Sequence, residues 1–187
     1  MTKSTWTVAY RGKIFEILQN EKGWEMASRA PGVRLILDDQ VAGKILLTRE
    51  FRAELNDYDF RLPGGKVFDL LAEYETFRDA GADILEPATA KIIQEAREET
   101  GYDIRDPKLV GKSILGATVD WDLYVFAVTQ FTKRNDGQRL ENGEQIETDL
   151  WFSYDEVRQM IIDGAMQEER IALILLRYLE RSKCENE

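Results

Sequence analysis

Three glutamates near the end of one helix set the first constraint on this chain. The stretch "QEAREETGY", residues 94–102, reads as helical and stops at Gly101, so Glu98 and Glu99 fall in its last turn. The helix macrodipole already concentrates partial negative charge at that end, and carboxylates there are mildly destabilising. At 100° per residue, Glu95, Glu98 and Glu99 share an arc of about 100°. Ala88, Thr89, Ile92, Ile93 and Ala96 fill most of the apolar side. Such a helix packs one flank on a core and carries converging carboxylates on the next. Like charges at i, i+3 and i, i+4 repel by roughly a few tenths of a kcal/mol per pair. A divalent cation reverses the sign of that term, and hard oxygen ligands suit Mg²⁺ or Mn²⁺. Taken alone, "EAREE" is more often a solvated helix face. The Pro63-Gly64-Gly65 loop that precedes it allows a close backbone approach beside the acidic face.

Composition narrows the chemistry further. The chain has no histidine, which excludes Ser-His and Cys-His triads and argues against zinc. A formal net charge of −10 argues against non-specific nucleic-acid binding, which needs a basic footprint. An anionic ligand would therefore need a cation to mediate it. No apolar run reaches membrane-spanning length, and "MTKSTWTVAY" carries no signal-peptide core, so a cytoplasmic protein without membrane partners is expected. Cys184 is the single cysteine, so no internal disulfide forms.

At 187 residues the chain fits one sizeable domain. "WTVAY", "KIFEILQ" and "WEMASR" read as strands up to Pro31-Gly32, where a sub-boundary is expected, giving an N-terminal β extension over 1–31 and a main domain over 32–187. "VRLILDD" and "KILLTREF" are stronger strands, joined by a polar turn. Leu70, Leu71, Tyr74 and Phe77 predict a helix over 69–80. The acidic helix should begin with Pro87 at its first position and end with Gly101 just beyond it. "LVGKSIL", "LYVFAV" and "TDLWF" predict strands, "GATVDWD" a turn and "RNDGQRLENGEQ" a long functional loop. Ser153 and Glu156 form a capping box for "YDEVRQMII", and an amphipathic helix closes the chain. Strands and helices without a strict βαβ rhythm predict an α+β fold.

With these residues in place, "GGKVFD…E…QEAREETGY" resembles the Nudix box. That pattern runs Gly, five residues, Glu, seven residues, Arg-Glu-apolar-x-Glu-Glu-x-Gly-apolar. Glu86 stands at the isolated Glu, Glu95 after the Arg position, Ala96 at the apolar one, and Glu98-Glu99 at the pair, closed by Gly101 and Tyr102. Gln94 replaces the motif Arg, and the spacing from Gly65 to Glu86 is about fifteen residues longer than in the pattern, the length of the helix over 69–80. "ILLTREFR", "RLPGG" and the C-terminal third are similar to the ADP-ribose and nucleoside-diphosphate-sugar pyrophosphatase branch.

The resemblance implies a Nudix fold, a mixed β-sheet sandwiched between helices. It implies metal-dependent hydrolysis of the diphosphate linkage of ADP-ribose or a nucleotide sugar, and a homodimer built through the N-terminal strands. Glu95, Glu98 and Glu99, with the carbonyl of Gly64, would bind Mg²⁺ or Mn²⁺. Arg52 would meet the diphosphate, unless it is a plain strand-end arginine. Glu144 would activate or position water, in competition with Glu141 and Glu147. Trp24 would stack on the base, or else belongs to the core or a dimer interface. Alternative readings are a hydrolase of dinucleoside polyphosphates or other nucleotides, and a nucleotide-binding sensor without turnover, which Gln94 keeps open.

Overall fold

Aromatic strands open the chain because alternating rings and β-branched residues favour the extended backbone. The computed structural model describes residues 5–184. β1 (Trp6–Arg11), β2 (Glu16–Asn20) and β3 (Glu25–Ser28) pair antiparallel in that order, with a bulge in β1 between Val8 and Tyr10. Residues 1–4 of the expected extension lie outside the described residues. Trp6, Val8 and Tyr10 are exposed along β1, whereas the Glu16 side chain is buried and meets Arg11 at 3.2 Å.

β4 (Gly32–Asp39) and β5 (Lys44–Arg52) are antiparallel, and the Asp39 carboxylate accepts from the N–H groups of Val41 and Ala42 in the turn between them. β6 (Asp57–Arg61) folds back along the distal half of β5. The predicted helix over 69–80 is α1 (Leu71–Asp79), of which only Leu71 is buried. Phe68 packs on Tyr74 and Phe77, with centroids 5.7 and 5.1 Å away. Glu75 of this helix accepts from Arg11 at 2.5 Å, and Arg78 lies 3.8 Å from Glu16, so α1 is tied to the N-terminal sheet.

α2 (Leu85–Glu95) begins two residues earlier than Pro87 predicts. The Asp83 carboxylate accepts from the Leu85 N–H at 3.0 Å, and Pro87 fits the first turn because N–H groups there have no partner inside the helix. The acidic stretch then continues as a π turn, Ala96–Thr100, closed by Gly101 in the left-handed region at φ 72°.

Beyond it come β7 (Tyr102–Arg105), β8 (Lys108–Ser113), β9 (Val119–Asp120), β10 (Leu123–Val128), β11 (Gln130–Lys133), β12 (Ile146–Ser153), α3 (Tyr154–Ile162) and α4 (Glu169–Cys184). The central sheet runs β12-β5-β4-β10-β8, with β6 beside β5 and β4 parallel to β10. β9 joins the N-terminal sheet along β3, and β7 pairs with β11 apart from both.

Alternation along β4 feeds two cores. Val33, Leu35 and Leu37 pack with Phe126 and Val128 against Ala88, Ile92 and Ala96. Ile36, with Ile45, Leu47 and Val125, packs against Val157, Ile171, Leu175 and Leu179 of the last two helices. Asp38 is buried among them and accepts from the hydroxyls of Tyr154 and Tyr178, each at 2.7 Å. A mixed sheet thus lies between helices, in the expected α+β class. Among the described residues no helix is long and apolar enough to cross a membrane.

Candidate active site

Gly64 and Gly65 bring backbone against the acidic end of α2. A Cβ on Gly64, at φ 146°, would lie 2.2 Å from the carbonyl oxygen of Val33. One on Gly65 would lie 2.0 Å from Glu95 Oε1, so the Glu95 carboxylate fills the space where a side chain would begin. The Gly64 N–H donates to Glu99 Oε2 at 2.6 Å. The long spacing within the motif therefore leaves the glycine loop and the glutamates in contact, with α1 looping away between them.

The π turn separates the roles of the three glutamates. Glu95 and Glu99 are buried, and Glu98 is only partly so. Burial pushes the Glu99 carboxyl up to about 8, and the neighbouring Glu95 charge adds to this against the Gly64 hydrogen bond. Burial also raises Glu95, opposed by Lys91, whose Nζ lies 2.9 Å from Glu95 Oε1. Glu98 Oε1 accepts from Gln94 Nε2 at 2.9 Å. Gln94 therefore contacts the Glu98 carboxylate from the position where the resembled pattern has arginine.

All of the predicted residues except Trp24 line one cleft of about 110 Å³, comprising Gly64, Glu95, Glu98, Glu99, Arg52 and Glu144. Arg52 is held by Glu50 Oε1 at 2.8 Å and by Glu54 at 2.9 Å. Burial lowers its pKa, but these two carboxylates outweigh that and leave it raised. Glu144 is folded on its own turn, Oε2 accepting from the Glu141 N–H at 2.9 Å. Glu141 also lines the cleft, whereas Glu147 pairs with Arg49 at 3.3 Å. Trp24 stands at the turn between β2 and β3, 65% exposed and apart from the cleft within one chain.

Sequence reasoning missed three cations, Arg34, Arg61 and Lys91. Arg34 donates to the Gly64 carbonyl at 3.2 Å and to Glu168 at 3.1 Å, and Arg61 reaches Glu168 at 2.8 Å. The signal of Arg34 was a lone charge inside the apolar run "VRLIL". Lys91 was legible as a cation four residues before Glu95.

The donor set suits a hard divalent cation in kind: three carboxylates, two of them buried side by side, and a carbonyl. Among the described residues no group of three acidic side chains is gathered around a common point, because each engages Lys91, Gln94 or the Gly64 N–H.

No family model and no curated protein matches the chain. It is similar to a solved structure described as the crystal structure of an ADP compounds hydrolase, with a TM-score of 0.64 at 14% identity, over 98% of this chain and 97% of that one. That likeness extends over the N-terminal sheet as well as the central one, and what the chain shares with it is the Nudix-like α+β fold.

Proposed function

We propose that this chain hydrolyses the diphosphate linkage of ADP-ribose or a nucleotide sugar with Mg²⁺ or Mn²⁺, giving a nucleoside monophosphate and a sugar phosphate. The observation that carries the reading is the pair of buried carboxylates, Glu95 and Glu99, set against Gly64-Gly65 in a cleft that also holds Arg52. A similar fold in a protein described as acting on ADP compounds supports the substrate class.

Glu95, Glu98, Glu99 and the Gly64 carbonyl would hold the cation. When bound, it supplies positive charge to the diphosphate and lowers the pKa of a coordinated water. Lys91 pairs with Glu95 and offsets part of the cost of burying its charge, and Gln94 fixes the orientation of Glu98. Arg52 forks onto the diphosphate oxygens, exchanging part of its contact with Glu50 and Glu54. Glu144 leaves its hydrogen bond with Glu141 and accepts a proton from the attacking water. The water oxygen bonds to one phosphorus as the bond from that phosphorus to the bridging oxygen breaks, and the bridging oxygen leaves with the other phosphate. The reading includes a homodimer, which the exposed Trp6, Val8 and Tyr10 of β1 support.

Product analysis tests the reaction. ADP-ribose and a panel of nucleotide sugars are incubated with the protein and Mg²⁺, with chelator, and with Glu98→Gln. Monophosphate release that needs metal and is lost in the variant is expected. Absence of product from every diphosphate, with folded protein, would sink the reading.

A further inference from the structure

We propose that a second cleft, walled by α1 and the start of β10, receives the sugar esterified to the substrate diphosphate; this rests on the diphosphate reading of the acidic cleft. The second cleft holds about 180 Å³, and Arg29, Pro31, Tyr74, Phe77, Arg78, Asp120, Asp122 and Tyr124 are among the residues that line it. That is below the usual volume of a site for a drug-sized ligand, so it suits one ring rather than a whole nucleoside.

Position is the first argument. The two clefts flank a single β-bridge between Gly32 and Lys66. Pro31 lines the second cleft, and Gly65 and Lys66 line the acidic one. One chain step plus one bridge separates Pro31 from Lys66, no more than about 9 Å. A Cβ on Gly32 would meet Leu123 at 2.6 Å and the Gly65 carbonyl at 3.0 Å, so no side chain can grow there. A group bonded directly to the diphosphate reaches this distance, whereas a base lies one sugar further on.

The second argument is the polarity of the walls. Arg29 lies with its guanidinium 4.3 Å from the Trp121 ring and 5.0 Å from that of Phe15, and Arg170 also lies over Trp121 at 4.1 Å. Arg29 Nε is buried without a hydrogen-bond partner, and among the described residues no carboxylate pairs with this side chain. Burial, and Arg34 nearby, lower its pKa, so an acceptor oxygen beside it is favourable. Asp120 and Asp122 present acceptors, engaged among the described residues by the Ser28 hydroxyl at 3.3 Å and Lys112 at 2.8 Å. A phosphate would be repelled by both aspartates, and a cation by Arg29 and Arg78. Neighbouring hydroxyls both donate and accept, and so satisfy walls of both signs. Tyr74, Phe77 and Tyr124 add apolar surface for the C–H face of a ring. Two of those rings come from the helix inserted in the motif, which makes the insertion a determinant of sugar preference.

The test compares ADP-ribose with the methyl ester of ADP, which keeps the diphosphate and the base but lacks the sugar. The preference in kcat/KM for ADP-ribose is expected to fall about tenfold or more in Tyr74→Ala and in Asp120→Asn. Asp120→Asn is nearly isosteric and guards against a folding defect in the aromatic variant. An unchanged preference in the folded variants overturns the proposal. So does a preference that follows the base, seen by exchanging ADP-ribose for its guanosine counterpart. If the wild type cleaves neither compound, the hydrolysis reading fails separately, and calorimetric titration of the two compounds still reads the cleft. Tighter binding of ADP-ribose that is lost in the variants then supports the proposal, and equal affinities overturn it.

Discussion

At the scale of single residues, the site concentrates like charge and relies on close contact to hold it. Glu99→Gln keeps an acceptor for the Gly64 N–H but removes a carboxyl group whose ionised form burial and Glu95 destabilise. Monophosphate release should fall more than about 100-fold, while the metal-free protein melts at an equal or higher temperature. A lower melting temperature would contradict the charge-strain account. Gly65→Ala drives a methyl into the Glu95 carboxylate, the far end of a flexible side chain. Its circular dichroism should stay native while activity drops by at least about tenfold. Gln94→Leu should lose a similar factor that Gln94→Arg restores; equal activity in all three would deny Gln94 a positioning role. The three carboxylates and the glycine loop were legible because their register is local in sequence. The division of labour among them was not. A constant 100° per residue cannot anticipate a π turn, and the partner of Glu99 is a backbone N–H thirty-five residues away.

At the scale of elements, caps and one buried ion cluster hold the sandwich in register. Ser153 accepts from the Glu156 N–H, and Glu156 accepts from the Ser153 N–H, so Ser153→Ala should destabilise by about 1 kcal/mol in urea titration. Glu168 ties the start of α4 to Arg34 on β4 and Arg61 on β6. Burial alone raises its pKa, but the two guanidiniums outweigh burial and leave it lowered. The sign follows: its contribution is fully present above the unfolded carboxylate pKa and is lost as pH falls through the lower folded value. Glu168→Gln should therefore destabilise by about 3 kcal/mol near pH 7, and the gap to wild type should close on acidification. A gap independent of pH would remove the linkage. Elements with a long apolar period were readable. β6, β7 and β11 were not, because each is four or five residues long and draws its pairing from distant chain. Pro87 misled by two residues because Asp83 captures the first helical N–H, a contact that propensity does not encode.

At the scale of the whole molecule, the N-terminal sheet presents Trp6, Val8 and Tyr10 to solvent in a single chain. The chain should sediment as a dimer of its 21.6 kDa mass, and Trp6→Glu or Tyr10→Glu should shift it to monomer. Monomeric wild type would remove that surface from the reading. Glu16 carries a different consequence. Its buried carboxylate is balanced by Arg11 from the N-terminal sheet and Arg78 from α1, with Oε1 still lacking a hydrogen bond. A chain lacking α1 would keep a half-compensated buried charge, which is strongly destabilising. α1 is thus not a detachable module: Glu16 ties it to the N-terminal sheet.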